Sequence, residues 1–296
     1  MPEEKLRFPS YGGQALLEGV MMRGSKYVTA VFRKPNGELS IHKEELTGLY
    51  KSRLIKIPFL RGMIILLDAL LLGTRLLVLS ANQQTGEEEK IEGPALYGTV
   101  GVSLVIGIGI FFVLPTLIAG GLEKNIETNS FVINFIEGII RLIFLMVYVW
   151  AIGKMPEIHR FFAYHGAEHK TINAYEAQVE LSPENISPFP LEHPRCGTGF
   201  LLIVVVISIV VFALLGPLDL IWRILSRILL IPVIVILAYE YMRWTANHLS
   251  NPIVRMLVFP NLWLQKMTTR EPSPDMLEVS SMALKELIAL ENSNNI

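Results

Sequence analysis

The sequence has little cysteine and little charge. Cys196 is the single cysteine, which excludes an internal disulfide and implies no oxidising compartment. Charged residues make up 18% of the 296 residues and hydrophobic residues 51%, and the mean hydropathy is +0.45. A soluble domain of this length is seldom so apolar. The composition therefore predicts an α-helical polytopic membrane protein that lies in a lipid bilayer.

Several common functional signatures are also missing. The glycine-rich stretch YGGQALLEGVMMRG has neither the G-x-G-x-x-G spacing of a dinucleotide-binding turn nor the G-K-S/T of a phosphate-binding loop. Residues 1–13 lack the apolar core and cleavage site that are typical of a cleaved signal peptide. The net charge of −1 gives no indication of nucleic acid binding, so no nucleic acid partner is expected.

Long apolar segments dominate the middle of the chain. A helix needs about 20 apolar residues to cross the hydrocarbon core. Four segments meet that requirement, namely residues 97–120, 131–153, 199–215 and 221–239. A fifth segment, 63–81, is ambiguous because it contains Asp68 and Arg75.

The distribution of basic residues predicts the orientation. Lys and Arg number 11 in residues 1–62, 4 in 153–197 and 5 in 241–296, against one each in 82–96 and 121–130. The positive-inside rule places the three basic regions together on the cytoplasmic side, with both termini cytoplasmic. An even number of spans must then separate them, so segment 63–81 is expected to be interfacial or re-entrant.

The expected organisation is about four transmembrane helices, an interfacial or re-entrant helix and a small cytosolic α/β cap. A β-hairpin is predicted at Pro35-Asn36-Gly37, between two alternating runs. A final helix is predicted to begin at Ser273-Pro274. In chain order we expect a cytosolic glycine-rich and hairpin segment (1–62), the interfacial helix and an acidic connector (63–96), a transmembrane pair (97–153), a cytosolic helix and connector (154–198), a second transmembrane pair (199–240) and a cytosolic amphipathic tail (241–296).

The stretch YHGAEHKTINAYE carries the clearest chemistry. Pro156 can open a helix of about twenty residues, on which His165, Glu168, His169 and Glu176 share one face. The order H-x-x-E-H is that of inverzincins, in which the histidines bind zinc and the glutamate activates a water molecule. This pattern indicates a zinc site with Glu168 as general base, and the alternative is a polar helix face at the membrane surface.

A zinc site of this kind needs a third protein ligand. The candidates are Glu240 at the end of the last apolar segment, Glu176 on the same helix face, and the pair His193 and Cys196 in LEHPRCGTGF. His193 and Cys196 could instead serve hydrogen bonding and packing in a short connector. In the expected topology all of these segments meet at the cytoplasmic face, which strengthens the metal-site hypothesis.

The glycine-rich stretch adds two further possible site residues. Its glycines permit tight turns and close approach of the backbone. Glu18 could reach a metal and Arg23 could hold an anion, or the two could form an ion pair. A structural role is favoured for Arg23, and the role of Glu18 is left open.

Four motifs in this order resemble a known family. They are GGQALLEGVMMRG, YHGAEHKTINAYE, HPRCGTGFL and NLWLQKMTTREPSPDMLEV. Together they are similar to the YqhQ-like family of bacterial multi-pass membrane proteins, a family of unknown function that is catalogued as predicted metal-dependent enzymes. The resemblance covers nearly the whole chain. It implies a multi-pass protein of the bacterial inner membrane and supports a metal site, but it implies no substrate.

These observations lead to three functional hypotheses. The first is a zinc-dependent hydrolase at the cytoplasmic membrane face, which a lipid or a membrane-embedded peptide could reach laterally. The second is a non-enzymatic membrane scaffold or insertion factor that binds a protein partner at its cytosolic face. The third is a transporter or ion-handling protein that uses an intramembrane polar path made of Asp68, Arg75, Glu137 and Arg141.

Overall fold

The glycine-rich stretch near the N-terminus forms the first hairpin of a four-stranded antiparallel sheet. The computed structural model describes residues 11–47, 57, 59–85, 94–123 and 129–293. The strands are neighbours in chain order: β1 (Gly12–Leu16), β2 (Gly19–Arg23), β3 (Tyr27–Arg33) and β4 (Leu39–Glu45). Leu16 pairs with Gly19, so a two-residue turn joins β1 to β2. The sequence pattern did not indicate this hairpin, because the glycines masked the alternation.

The hairpin predicted at Pro35-Asn36-Gly37 is confirmed and joins β3 to β4. Arg33 pairs with Leu39 at the base of the turn. The Asn36 side chain accepts a hydrogen bond of 3.1 Å from the Glu38 amide, and Gly37 has a φ of 86°. Asparagine and glycine are the residues that such a turn favours.

Helices make up most of the remaining described chain. A π-helical turn, Gly109–Val113, joins the helix Pro94–Ile108 to the helix Leu114–Glu123, so that the three form one continuous helix. The helix predicted from Pro156 and the final helix predicted from Pro274 are both confirmed, as α5 and α11. In chain order the helices are α1 (Leu60–Gln84), α2 (Pro94–Ile108), α3 (Leu114–Glu123), α4 (Ser130–Ile152), α5 (Pro156–Glu176), α6 (Pro183–Ile186), α7 (Gly197–Ala213), α8 (Leu220–Leu229), α9 (Ile231–Asn247), α10 (Pro252–Thr268) and α11 (Pro274–Ser293).

The sheet is covered by helices on both faces. Leu16 and Phe32 point to one face and pack with Leu72 and Leu76 of α1. Side chains of the opposite face pack with residues of α5 and α11. Successive side chains of a strand alternate between the faces, so one short sheet supports two apolar cores. We call the sheet, the C-terminal half of α1, α5 and α11 the cap.

Among the described residues, three helices are long and apolar enough to cross a membrane. They are α1, the continuous helix Gly98–Glu123 and α4. Helices α8 and α9 pass the same test together and would make a fourth span, although they are bent by 44°. The predicted segments 97–120 and 131–153 correspond to the second and third of these helices, and the acidic connector expected before residue 97 lies largely outside the described residues.

Two of the predicted segments need correction. The segment predicted at 221–239 is a broken helix that continues to Asn247, because Pro232 has no N–H to donate to the carbonyl of Ile228. The segment predicted at 199–215 is α7, which has 17 residues and falls below the length of the other candidates. Segment 63–81, expected not to cross, lies inside α1, which is a candidate by length and composition.

The cap buries apolar side chains, whereas among the apolar helices charged side chains are buried and many apolar ones are exposed. The fully buried side chains there include Glu137, Arg141 and Arg227, whereas Leu214 and Ile221 are 79% and 71% exposed. An exterior of this kind is favourable against hydrocarbon and unfavourable against water. The composition and this pattern together indicate a membrane protein.

Candidate metal centre

Helix α5 carries the H-x-x-E-H residues into a buried position under the sheet. The helix packs against β1 and α11. His165, Glu168 and His169 are 8%, 5% and 1% exposed. The sequence predicted a polar helix face, and the structure shows that the cap and the neighbouring loops cover this face.

Backbone carbonyls orient both histidines of the motif. Nδ1 of His165 lies 2.8 Å from the carbonyl oxygen of Thr268, and Nδ1 of His169 is hydrogen-bonded to the carbonyl oxygen of Leu191. A carbonyl can only accept, so each Nδ1 donates and carries the proton. In the neutral ring Nε2 is then left with a lone pair. Metal-binding histidines are commonly held in this way by their second nitrogen.

Cys196 completes a group of three possible ligands. Its Sγ lies 3.2 Å from Nε2 of His165. One ligand atom from each of His165, His169 and Cys196 lies within 4.8 Å of the other two, and all three residues are buried. Cys196 caps the start of α7, where Sγ accepts from the amide of Thr198 at 3.4 Å. We call His165, His169 and Cys196 the candidate metal centre, or metal centre for short.

The chemistry of these three donors fits a zinc ion. Zinc sites that carry out catalysis often have three protein ligands, and two nitrogens with one thiolate suit the metal. Nε2 of His169 is buried and has no hydrogen-bond partner. A buried polar atom without a partner costs free energy, and coordination would remove that cost.

Glu168 lies beside the centre. One carboxylate oxygen is 3.5 Å from Nε2 of His169. The backbone of Gly13 in β1 presses on this side chain, because a Cβ at that position would lie 2.5 Å from Cγ of Glu168. The sheet therefore fixes the place of the carboxylate, and a glycine is required at the contact.

His193 lies next to the centre but is not one of its three possible ligands. Its ring centroid is 5.8 Å from that of His169, and its Nε2 is buried without a hydrogen-bond partner. Burial lowers the pKa of His193, although the charge of Glu168 opposes this shift. Gln265 of α10 holds the backbone of His193 with two hydrogen bonds of 2.8 and 2.9 Å.

Two residues considered as a third ligand lie elsewhere. The Glu240 carboxylate accepts a hydrogen bond from the Arg61 guanidinium at the start of α1. Glu240 does not belong to the metal centre. Glu176 forms an ion pair with Arg195 and lies 3.7 Å from Nε2 of His193. Of the candidates for a third ligand, the structure therefore brings Cys196, at the start of α7, together with the two histidines of α5.

Glu18 and Arg23 do not pair with each other. Glu18, in the turn between β1 and β2, accepts from the guanidinium of Arg160 at 2.6 Å and from the hydroxyl of Tyr164 at 3.3 Å. Arg160 holds the pKa of Glu18 below its usual range, although burial opposes the shift. Arg23 binds Asp68 of α1 at 2.6 Å. Both residues thus join the sheet to a helix.

The carbonyls of Leu191 and Thr268 were missed by reasoning from the sequence. Backbone acceptors are invisible in side-chain patterns. One signal does exist for Thr268, which is the last residue of α10 and lies shortly before Pro272. The last carbonyls of a helix have no partner within it, so an end of this kind can accept from an imidazole.

The four residues considered as an intramembrane path lie in two separate groups. Asp68 and Arg75 pair with residues of the sheet. Glu137 accepts from Arg141 at 2.8 Å and from Arg227 at 2.9 Å among the apolar helices.

Comparison with known proteins gives a family but no activity. Residues 57–290 match the family described as "Protein of unknown function (DUF1385)". The "Uncharacterized protein YqhQ" of Bacillus subtilis (strain 168) is 33% identical over 299 residues, which cover 96% of this chain and 93% of that protein. No solved structure matches the chain. The resemblance carried by the four sequence motifs is confirmed.

Proposed function

Because the chain belongs to the DUF1385 family, whose function is unknown, we propose from its own residues that it is a zinc-dependent hydrolase of the membrane surface. The observation that carries the proposal is the orientation of His165 and His169. Both Nδ1 atoms are held by carbonyls, which leaves each Nε2 with a lone pair, and Nε2 of His165 lies 3.2 Å from Sγ of Cys196. A polar face without chemical function would not require two such orientations at one place.

The roles of the residues follow from their positions. A bound zinc ion would polarise a carbonyl or phosphoryl oxygen and lower the pKa of a water molecule. His165, His169 and Cys196 would hold the ion, and the buried Glu168 carboxylate would accept a proton from a water molecule at this place. His193 lies next to these groups, and burial lowers the pKa of its imidazole.

We propose that the centre lies on the cytoplasmic side of the membrane. Exposed aromatic residues mark the helix ends nearest the centre, with Trp150 on α4, Trp244 on α9 and Trp263 on α10. Lys154 and Arg243 lie at the same helix ends. Aromatic belts mark the membrane interface, and basic residues favour the cytoplasmic side.

Helix α1 is proposed to lie at this interface without crossing the membrane. Its start pairs with Glu240 near the end of α9, through Arg61. Its C-terminal end binds the sheet, where the Gln84 side chain donates to the carbonyl of Arg33 at 2.8 Å. Both ends of α1 thus contact groups on the side of the metal centre, which supports four spans formed by Gly98–Glu123, α4, α7 and the bent pair α8–α9.

A second candidate function is nucleophilic catalysis by Cys196 without a metal. The specific observation is the distance of 3.2 Å between its Sγ and Nε2 of His165, whose other nitrogen is fixed by Thr268. The amide of Thr198 donates to the same Sγ at 3.4 Å, so the sulfur is held at the start of α7. A thiol beside an oriented imidazole is the arrangement of cysteine nucleophiles.

Elemental analysis of the detergent-purified full chain separates the two candidates. The wild type is compared with His165→Ala/His169→Ala and with the matched control His159→Ala/His248→Ala, whose histidines are exposed. We expect about one zinc per chain in the wild type and in the control, and at least about a tenfold loss in the first variant. Size-exclusion chromatography checks that each variant is folded.

A wild type that holds no metal, even after reconstitution with zinc, would refute the zinc proposal. The thiol candidate would then predict that iodoacetamide alkylates Cys196 faster in the wild type than in His165→Ala. If zinc is present, Glu168→Gln is expected to keep the metal and to lower hydrolysis by about 10²- to 10⁴-fold, the usual contribution of general base catalysis.

A further inference from the structure

A pocket next to the metal centre carries two guanidinium groups. It has a volume of about 300 Å³ and lies between the start of α7 and the end of α9. Its lining contains no carboxylate, and Glu176, which pairs with Arg195, lies outside the lining. An anion is the ligand that complements such a lining. The lining residues are Arg195, Tyr239, Met242, Arg243, Ala246 and Asn247.

The pocket is connected directly to the centre. Arg195 precedes the proposed ligand Cys196 in the chain. Arg195 also pairs with Glu176, whose carboxylate lies 3.7 Å from Nε2 of His193. A ligand held by Arg195 would therefore lie within reach of the residues that surround the metal centre.

The surroundings of the pocket are those of a membrane interface. Trp244 follows Arg243 on α9 and is 47% exposed. The start of α1 packs behind Tyr239, since a Cβ at Gly62 would lie 2.9 Å from that side chain. Phe59 and Leu60, just before this contact, are 56% and 47% exposed. Guanidinium groups beside exposed apolar side chains match the headgroup and the acyl chains of one amphiphile.

We infer that this pocket binds the phosphate of an anionic phospholipid and presents that lipid to the metal centre. The inference rests on the proposed function only in making the lipid a substrate, because binding itself needs no metal. Guanidinium groups bind phosphate with paired, charge-assisted hydrogen bonds. The shared chemistry is that of a phosphate group, and the apolar rim assigns it to a lipid headgroup instead of free phosphate.

Quenching of Trp244 fluorescence by brominated lipids tests the inference in the full chain. Trp150, Trp222 and Trp263 are each more than half exposed and are replaced by phenylalanine, which leaves Trp244 as the reporter. The protein is placed in nanodiscs of phosphatidylcholine that contain either brominated phosphatidylglycerol or brominated phosphatidylcholine at the same fraction. We expect stronger quenching by the brominated anionic lipid.

A pair of variants shows whether the pocket is responsible. Arg195→Gln/Arg243→Gln is expected to weaken the apparent affinity for phosphatidylglycerol by about tenfold or more, from the loss of two charged hydrogen-bonding groups. The control Arg255→Gln/Lys266→Gln removes the same charge from exposed positions outside the pocket and should keep the preference. An equal loss in both variants, or no preference in the wild type, would overturn the inference.

Two further arms complete the experiment. Inorganic phosphate at millimolar concentration should leave the preference intact, and its abolition would assign the pocket to free phosphate and overturn the lipid assignment. His165→Ala/His169→Ala should lose zinc but keep the preference, so failure of the metal proposal and failure of this inference give different results. If the single-tryptophan variant does not fold, native mass spectrometry of retained lipids compares the same Arg and control variants with all tryptophans present.

Discussion

At the metal centre, each imidazole is oriented by a segment that is distant in the sequence. Leu191 lies in the loop before α7 and Thr268 at the end of α10. The ring orientation of His165 and His169 therefore depends on the packing of three segments. Substitutions that shift α5 by a few tenths of an ångström should disturb the centre without touching a ligand.

Gly13→Ala is expected to damage the site, and Gly12→Ala is not. A Cβ at Gly13 would lie 2.5 Å from Cγ of Glu168, whereas a Cβ at Gly12 meets nothing within 4 Å. The crowding should cost about 1–3 kcal/mol of stability and displace the carboxylate. Thermal unfolding in detergent measures the first effect, and hydrolytic rate at unchanged zinc content measures the second. Equal behaviour of the two variants would contradict the contact.

The ion pair between Glu18 and Arg160 predicts a dependence of stability on pH. Because the pKa of Glu18 is lowered in the folded chain from its ordinary 4.5, the pair contributes stability above that value. The contribution is lost as the pH falls through the folded pKa. The difference in unfolding temperature between the wild type and Glu18→Gln should therefore shrink below about pH 4.

Arg160→Gln is the matched control for this pair, since it removes the cation and leaves the carboxylate. The difference in unfolding temperature between the wild type and Arg160→Gln should shrink over the same pH range. A difference between the wild type and Glu18→Gln that stays constant from about pH 6 to pH 3 would show that the pair contributes nothing.

Among the elements, some could be predicted from the sequence and others could not. Helix α5 and the hairpin at Gly37 follow from local signals, namely Pro156 at a helix start and Asn36 in a turn. The break between α8 and α9 was missed although Pro232 marks it, because the apolar run continues through it. The place of Cys196 beside His165 depends on packing between segments about 30 residues apart, which no local pattern encodes.

The burial of α8 shows how its arginines are used. Arg223 and Arg227 are both buried, whereas the apolar side of α8 is exposed. Arg227 binds Glu137 and the side chain of Asn134, and Arg223 binds Glu123. Ion pairs of this kind attach the short helix to the bundle, since a charge facing hydrocarbon is costly.

Glu137→Gln is therefore expected to destabilise the helix bundle strongly. The change leaves Arg141 and Arg227 buried without the carboxylate that they share. Removing one partner of a buried ion pair costs about 3–5 kcal/mol. Thermal unfolding in detergent should show a large drop for this variant and a smaller one for the control Glu123→Gln, whose side chain is 35% exposed. A similar drop in both variants would mean that the buried ion pairs of Glu137 contribute no more to stability than the ion pair of Glu123.

In the whole molecule, the cap and the bundle meet at the metal centre. Helix α5 and the end of α10 approach it from the cap side, and Cys196 begins the apolar helix α7. The proposal that a ligand in the bilayer reaches these polar groups laterally rests on this arrangement. Composition predicted the apolar helices, but it could not decide whether α1 crosses, because an interfacial helix and a spanning helix can have the same hydropathy.

The path of α1 decides on which side of the membrane the metal centre lies, and cysteine labelling can determine it. Thr85→Cys marks the end of α1 and Leu215→Cys marks the turn after α7, while the native Cys196 is buried and serves as the background control. In intact cells a membrane-impermeant maleimide should label the cysteine at 215 and should reach the one at 85 only after permeabilisation. Four spans and an interfacial α1 require this result, because Gly98–Glu123, α4 and α7 would then separate the two positions by three crossings. Labelling at 85 from outside would show that α1 crosses or that the protein is inverted, and position 215 would be inaccessible in both cases. Glu38→Cys in the exposed turn between β3 and β4 separates them, since only inversion makes that position accessible from outside.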